Sequence, residues 1–311
     1  MKLIGLTNQV FYTVPQSMKN FQACAGLLIK GEKTIAIDTN MGPDQTLAFL
    51  VEHKPDMAII THYHIDHSTW AKTVDEIETI ELFVPESEGH LLTSIEKFVD
   101  HTAGPYGLHA EWKDFTVNTA KFKPISRFST YDWNRFPEIK KPLVKPIFTP
   151  GHSPGHFAFY LPEDGILFTG DMGVDRFGPW YGWGDCDLKN LMESIIKLRE
   201  IPARILATSH GGIVSENIER AWDRAIEILI KRESFVARKL ELGAGKDEIV
   251  REGIFFPQKE RVSEPMKSFL YMWDSFMFDH HKKLLEEGGF RAYFPEVVKK
   301  FFRSLNAENK A

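Results

Sequence analysis

Apolar positions come in short runs over most of the chain and switch to helical spacing near residue 216. Residues 9–14 alternate loosely, residues 23–29 form an apolar run, and residues 34–38 repeat it after Gly31, Glu32 and Lys33. Short runs separated by turn chemistry predict the opening strands of a sheet. Pro43, Asp44, Gln45 and Thr46, followed by Leu47, Phe49, Leu50 and Val51, predict a first amphipathic helix, and Met57, Ala58, Ile59 and Ile60 a buried strand. That strand–helix–strand order argues for α/β layering. A helix over 69–74, a strand over 80–84 and a helix over 86–99, with Leu91, Leu92, Ile95 and Phe98 on one face, follow. Strands are predicted over 144–148, 157–161 and 166–168, a helix over 188–198 (Leu188, Leu191, Met192, Ile195, Leu198), and a last strand over 205–207.

Beyond that strand the pattern is helical. Residues 216–242 carry Ile218, Trp222, Ile226, Leu229 and Val236, with Ser215 as the expected N-cap. Gly243, Ala244 and Gly245 interrupt it, and helices over 246–252, 263–287 and 295–304 follow. The chain therefore divides into residues 1–214 and a mainly helical C-terminal domain, 215–311. Residues 100–143 are irregular and rich in aromatics, among them Trp112, Tyr131 and Trp133, and could wall an active site or cap the sheet; capping is the expectation, since large rings usually serve cores.

Composition narrows the class without naming a function. A chain of 311 residues with 43% hydrophobic and 26% charged residues buries a full core. A net charge of −5 gives no general attraction to nucleic acid or acidic membranes. Cys24 and Cys186 are the only cysteines and suggest no disulfide framework. The N-terminal apolar run breaks too early for a signal peptide, and no run approaches the ~20 apolar residues that span a bilayer, so the expectation is a soluble, cytoplasmic protein.

The chemistry concentrates in Thr61-His62-Tyr63-His64-Ile65-Asp66-His67, at the end of the predicted strand 57–60. Imidazoles with a carboxylate suit zinc, manganese or iron, whereas calcium would ask for oxygen ligands only. Donors so close in sequence are hard to aim at one ion, and two adjacent metals is the better reading. His-x-His-x-Asp-His after a strand resembles the metallo-β-lactamase superfamily, and four further motifs extend the resemblance. Asp38 ends a strand-like run, His152 lies in Pro150-Gly151-His152-Ser153-Pro154-Gly155-His156, Asp171 closes Leu167-Phe168-Thr169-Gly170-Asp171, and His210 follows Ile205-Leu206-Ala207-Thr208-Ser209.

The resemblance implies an α+β fold, a four-layer αββα sandwich of two mixed sheets with helices outside, here with a helical C-terminal extension. It also implies a ligand set: His62, His64 and His152 on one divalent metal, Asp66, His67 and His210 on a second, and Asp171 bridging them. Zinc is the expected metal, with iron or manganese allowed. A hydroxide between the two ions would be the nucleophile, and Asp66 could also orient it. Asp38 is expected behind a ligand rather than on the metal, and His156 is left between a packed and a functional role. The bridging carboxylate argues against β-lactam hydrolysis, since the family's thioesterases, lactonases and nucleases carry it; glyoxalase II-like relatives and a second branch are the nearest resemblances. Residues 280–288 resemble the tail of a branch related to human β-lactamase-like protein 2, although His280 and His281, adjacent on a helix, point ~100° apart and are read as surface or packing residues.

The Gly/Pro loop carrying Phe177, Trp180, Tyr181 and Trp183 is expected to wall a substrate pocket, with Tyr181 on a substrate carbonyl. The leading expectation is hydrolysis of a small-molecule substrate, a thioester or lactone. Phosphodiester or RNA cleavage is the alternative, disfavoured by the acidic balance, and a di-iron oxygen- or nitric-oxide-reducing module comes last because His64 stands where that branch carries Glu. The helical part is open to use as a lid, a homodimer surface or a substrate platform.

Overall fold

The computed structural model describes residues 2–17, 22–42 and 45–308. Strands β1 (Lys2–Gly5), β2 (Val10–Val14), β3 (Gly26–Lys30), β4 (Thr34–Ile37), β5 (Met57–Ile59), β6 (Glu81–Pro85) and β7 (Ser129–Tyr131) form one sheet in chain order. Its first half is antiparallel, and β4 to β7 run parallel. The second sheet has the order β12-β11-β10-β9-β8, built from β8 (Lys145–Phe148), β9 (Phe157–Leu161), β10 (Ile166–Phe168), β11 (Ile205–Thr208) and β12 (Gly212–Val214). Only β10 and β11 pair in parallel there.

Two cores explain why the strands read as unbroken apolar runs. Leu27, Ile29, Ile35, Ile37, Met57 and Ile59 face Phe157, Phe159, Ile166 and Phe168 between the sheets. The intervening Leu28, Ala36, Ala58, Leu167 and Leu206 face outward, into a second core shared with the helices. With a side-chain period of two, a strand buried on both faces has no polar position to spare. Helices α1 (Thr46–His53) and α3 (Ala71–Asp75) lie outside the first sheet, and α6 (Leu188–Arg199) outside the second, which gives the expected helix–sheet–sheet–helix order.

The helical C-terminal part comprises α7 (Ile218–Glu241), α8 (Lys246–Glu252), α9 (Met266–Glu286), α10 (Gly289–Tyr293) and α11 (Pro295–Glu308). Helix α7 packs on α6, and α9 on α6, α7 and α8. Trp222, Phe269 and Trp273 thereby join the same core as Trp112 and Leu191.

Several sequence expectations change. Strands β1, β7 and β12 are three or four residues long, too short to show a period, so residues 205–207 are not the last strand. The helix expected over 86–99 splits into a 3-10 turn (Gly89–Thr93) and α4 (Ile95–Ala103), because Ser94 adopts an extended conformation and caps Lys97 N–H. The 69–74 helix becomes α2 (Ile65–Ser68) followed by α3. Ser215 is not the α7 N-cap; the helix starts after Asn217, which has φ +50°. Residues 43 and 44 of the first predicted helix lie outside the described residues, and its buried face is Thr46, Phe49 and Leu50, leaving Leu47 and Val51 in solvent. The irregular segment contains α5 (His109–Asp114), on which Trp112 is buried.

Candidate metal centre

Strand β5 delivers His62 and His64 in the loop that follows it, and α2 carries Asp66 and His67 in its single turn. His152 lies between β8 and β9, Asp171 just after β10, and His210 between β11 and β12. Loops at strand ends, from both sheets, thus meet at one edge of the sandwich. Their donor atoms fall into two groups: His62, His64 and His152, and Asp66, His67, Asp171 and His210, each with its atoms within 4.8 Å of one another.

Asp171 touches both. Its Oδ2 lies 3.6 Å from His152 Nε2 and 3.3 Å from His210 Nε2, and its Oδ1 3.2 Å from His67 Nε2. His62 and His152 turn their Nε2 atoms toward each other at 3.1 Å, and Asp66 Oδ2 is 3.0 Å from His210 Nε2. Among the described residues, His64 Nε2, His67 Nε2 and Asp171 Oδ1 are buried without a hydrogen-bond partner. Each such group costs about 1–3 kcal/mol when left unsatisfied, so three converging ones mark a place built for a cation. The donor set fits divalent metal.

The far sides of the rings are held. His67 Nδ1 is 2.7 Å from Asp38 Oδ2, and Thr61 donates to the same carboxylate from its N–H (2.9 Å) and hydroxyl (2.5 Å). His62 Nδ1 meets Thr61 Oγ1 at 2.9 Å, and His152 Nδ1 meets the Trp180 carbonyl at 2.9 Å. A partner on Nδ1 fixes the ring and leaves Nε2 for the centre. Asp38 stands behind His67, as expected. His156 resolves as a packed support: its Nε2 accepts the Asp171 N–H at 3.1 Å, beside Gly170, whose φ of +54° and contact with this ring leave no room for a Cβ. Cys24 is a buried thiol that donates to the Asp38 carbonyl, pushed up to about 12 by burial. Cys186 donates to the His152 carbonyl.

Electrostatics keep the first group neutral. Burial, then the neighbouring imidazoles, holds His62 and His64 well below the ordinary histidine range, and burial also lowers His152. In the second group burial is outweighed: Asp171 and Asp66 push His210 up to about 10, and His210 and His67 hold Asp171 well below the carboxylate range. A cation bound there displaces that proton.

Glu88 carries no sequence signal. Fully buried, it accepts Tyr63 N–H at 2.8 Å and Gly155 N–H at 2.6 Å, clipping the His62/His64 loop to the His152 loop.

Above the donors opens a cavity of ≈ 1000 Å³. His64, Asp66, His152, Asp171 and His210 form its floor, and Phe177, Trp180 and Trp183 line it. Tyr181 does not. It is fully buried, and its hydroxyl meets His281 Nε2 at 2.8 Å, on the far side of the loop. A Gly/Pro loop has no side-chain period, so neighbouring aromatics can face opposite ways. His280 Nε2 bonds the Trp183 carbonyl at 2.7 Å, and the two adjacent histidines tie the loop to α9. Trp112 corrects the capping expectation by joining Trp273, Phe255 and Phe256 in the wall. That wall is braced by a fully buried pair, Lys259 Nζ to Asp274 Oδ2 at 2.7 Å; Asp274 also accepts Phe255 N–H (2.9 Å), and Lys259 donates to the Phe256 carbonyl (3.2 Å). Arg232 of α7 grips the loop from outside, donating to the Phe177 and Pro179 carbonyls at 2.6 Å each. No helix among the described residues is long and apolar enough to cross a membrane.

Comparison with solved structures places this architecture. A metallo-beta-lactamase family protein from Thermus thermophilus superposes with a TM-score of 0.64 at 19% identity, over 91% of this chain and 95% of its own. A beta-lactamase domain protein from Burkholderia ambifaria gives 0.67 at 14% identity, over 93% and 90%. TTHA1623, solved in a di-iron-bound form, gives 0.51 at 21% identity, over 67% and 96%. No curated protein matches the chain. Because the family model described as "Metallo-beta-lactamase superfamily" matches residues 20–210, the chain belongs to that superfamily, and its donor cluster is that of a metal-dependent hydrolase.

Proposed function

We propose that the protein is a dinuclear metallohydrolase acting on a small ester-like substrate, a thioester or lactone. The observation that carries this reading is the apolar, aromatic cavity standing directly on the donor cluster. Such a cavity suits an apolar acyl group and a neutral carbonyl, whereas a nucleic-acid strand calls for an extended basic groove. His62, His64 and His152 would hold one ion, Asp66, His67 and His210 the other, with Asp171 reaching both. Divalent metal bound there supplies Lewis acidity and hydroxide near neutral pH. Zinc is the metal we favour; the donor set also accepts iron, the metal in TTHA1623.

The chain's own residues do the rest. Asp66 Oδ2 orients the attacking water and takes its proton. Trp180, Trp183 and Phe177 seat the acyl group over the floor and exclude bulk water from it. The test is turnover by zinc- or iron-loaded protein of an aryl thioester, a γ-lactone, a phosphodiester and single-stranded RNA. Thioester or lactone hydrolysis falling about 10²–10⁴-fold in Asp66→Ala supports the reading. Turnover confined to the phosphodiester or RNA overturns it.

A further inference from the structure

Just outside the cavity mouth lies a second hollow of ≈ 620 Å³, lined by Arg176, Arg220, Arg224, Lys231, Glu227 and Phe177. Arg176 and Phe177 line both hollows, so the two are neighbours across one loop. Arg220, Arg224 and Lys231 sit at i, i+4 and i+11 on α7 and share one stripe of it. The carboxylate in the lining, Glu227, is taken by Arg220 at 2.8 Å. Arg224 donates to the Arg176 carbonyl at 3.3 Å, which brings these two cations together, and the Arg176 guanidinium stacks 4.5 Å from the Phe177 ring. Asp175, the nearest acid along the loop, turns back to accept the Phe177 and Gly178 N–H groups at 2.6 and 3.0 Å. Arg176, Arg224 and Lys231 are all exposed.

On a chain of net charge −5, a shelf of four cations and one neutralised carboxylate is a local exception, placed beside the loop that walls the cavity. Like charges held close repel one another, and an anion between them relieves that repulsion. Guanidinium groups bind phosphate oxygens bidentately, and a phosphate dianion satisfies several donors at once. We infer that the substrate is an open-chain thioester whose leaving thiol carries a phosphate, held on the Arg176/Arg224/Lys231 shelf while the acyl group occupies the aromatic cavity.

This rests on the ester reading above and narrows it. A lactone has no detachable leaving part and gives the shelf nothing to hold. In the reaction, a water hydroxyl adds to the carbonyl carbon, the carbon–sulfur bond breaks, and the sulfur takes the remaining proton; no oxidant or reductant enters. The shelf touches the half of the substrate that departs, so it acts on KM and on choice of leaving group. Its few cations fit one phosphate and are too few for a strand.

The test compares two phenylacetyl thioesters, one of N-acetylcysteamine and one of 4′-phosphopantetheine, on metal-loaded enzyme. The expected result is a kcat/KM roughly tenfold higher for the phosphorylated substrate, carried in KM, which is what three exposed charge contacts supply. In the Arg176→Ala/Arg224→Ala/Lys231→Ala variant the ratio of the two falls to about one. Calorimetric titration with free 4′-phosphopantetheine is expected to show binding to the wild type and its loss in the variant. Equal kcat/KM on the wild type, or titration unchanged in the variant, overturns the inference. If neither thioester turns over while the γ-lactone does, the ester reading stands and this inference is overturned; if no ester turns over, the ester reading fails, while the titration still judges the shelf. Single-stranded RNA binding with a log–log salt slope clearly steeper than about −2, the value for three phosphates, would make the shelf part of a nucleic-acid track and overturn the inference too.

Discussion

At the closed end of the cavity the inward-facing groups are imidazoles and carboxylates, and three of the imidazoles are steered by a second polar group: Asp38 behind His67, the Trp180 carbonyl behind His152, Thr61 behind His62. At the open end the inward-facing groups are rings, and they are held by one another. Trp183 meets Trp112 at 5.1 Å and Trp273 at 5.7 Å, and the buried Lys259–Asp274 pair fixes the Phe255–Phe256 backbone from behind. The closed end leaves buried donors unsatisfied, which suits reactivity at some cost in stability, whereas the open end pairs its buried charges, Lys259 with Asp274, and contributes to the fold. Damage at the closed end should therefore show in activity, and damage at the open end in stability.

The largest expected effect is at the closed end. Asp171→Asn removes the one carboxylate that reaches both donor groups, and activity of the metal-loaded enzyme should fall about 10³-fold or more, the equivalent of several kcal/mol of lost charge stabilisation. An enzyme that kept a tenth of its activity would dissolve the contrast.

Next is Asp274→Ala at the open end, which strands the Lys259 ammonium in a fully buried site and should cost about 3–5 kcal/mol of stability. Metal content of the folded fraction should be unchanged. A denaturation midpoint equal to wild type would show that the pair braces nothing.

The smallest effect is a pH dependence. Burial first, then Arg232 and His280, pushes His281 down to about 3, while in the unfolded chain it returns to about 6.5. The unfolded state then binds more protons, so this contribution is complete above pH 6.5 and is lost as pH falls toward 3. Between pH 6.5 and 5 the loss should be about 2 kcal/mol. His281→Gln should remove that share of the slope over the interval, the rest belonging to the other buried imidazoles, and an unchanged slope would mean that His281 does not titrate there.

The same contrast governs what could be read from the chain. His62, His64, Asp66 and His67 are neighbours in sequence, and His152, Asp171 and His210 each close a strand with its own apolar signature, so the donor cluster was visible before any fold was known. The wall was legible only in its loop: Trp183 stands on the Gly/Pro segment beside Asp171, whereas Trp112 and Trp273 lie on α5 and α9, and nothing periodic links them to it. Tyr181 was misplaced for the same reason, its ring facing α9 while Trp180 and Trp183 face the cavity. Glu88 looked like one acid among many in a helical stretch, and only the fold shows it bridging two ligand loops. The helix–sheet layering was legible because strands buried on both faces must be apolar throughout, whereas β1, β7 and β12 were too short to declare themselves.

Arg232 grips the 176–183 loop by the carbonyls of Phe177 and Pro179, not by their side chains. Carbonyls are common to all residues, so the path of the loop is specified from α7 and is largely indifferent to which side chains it displays. Phe177 and Trp180 can therefore be exchanged for other residues while the backbone stays where it is. A scaffold arranged in this way separates heredity of shape from heredity of taste: substrate preference can drift by single substitutions in the loop, while the guanidinium on the neighbouring helix preserves the frame in which each new preference is tried.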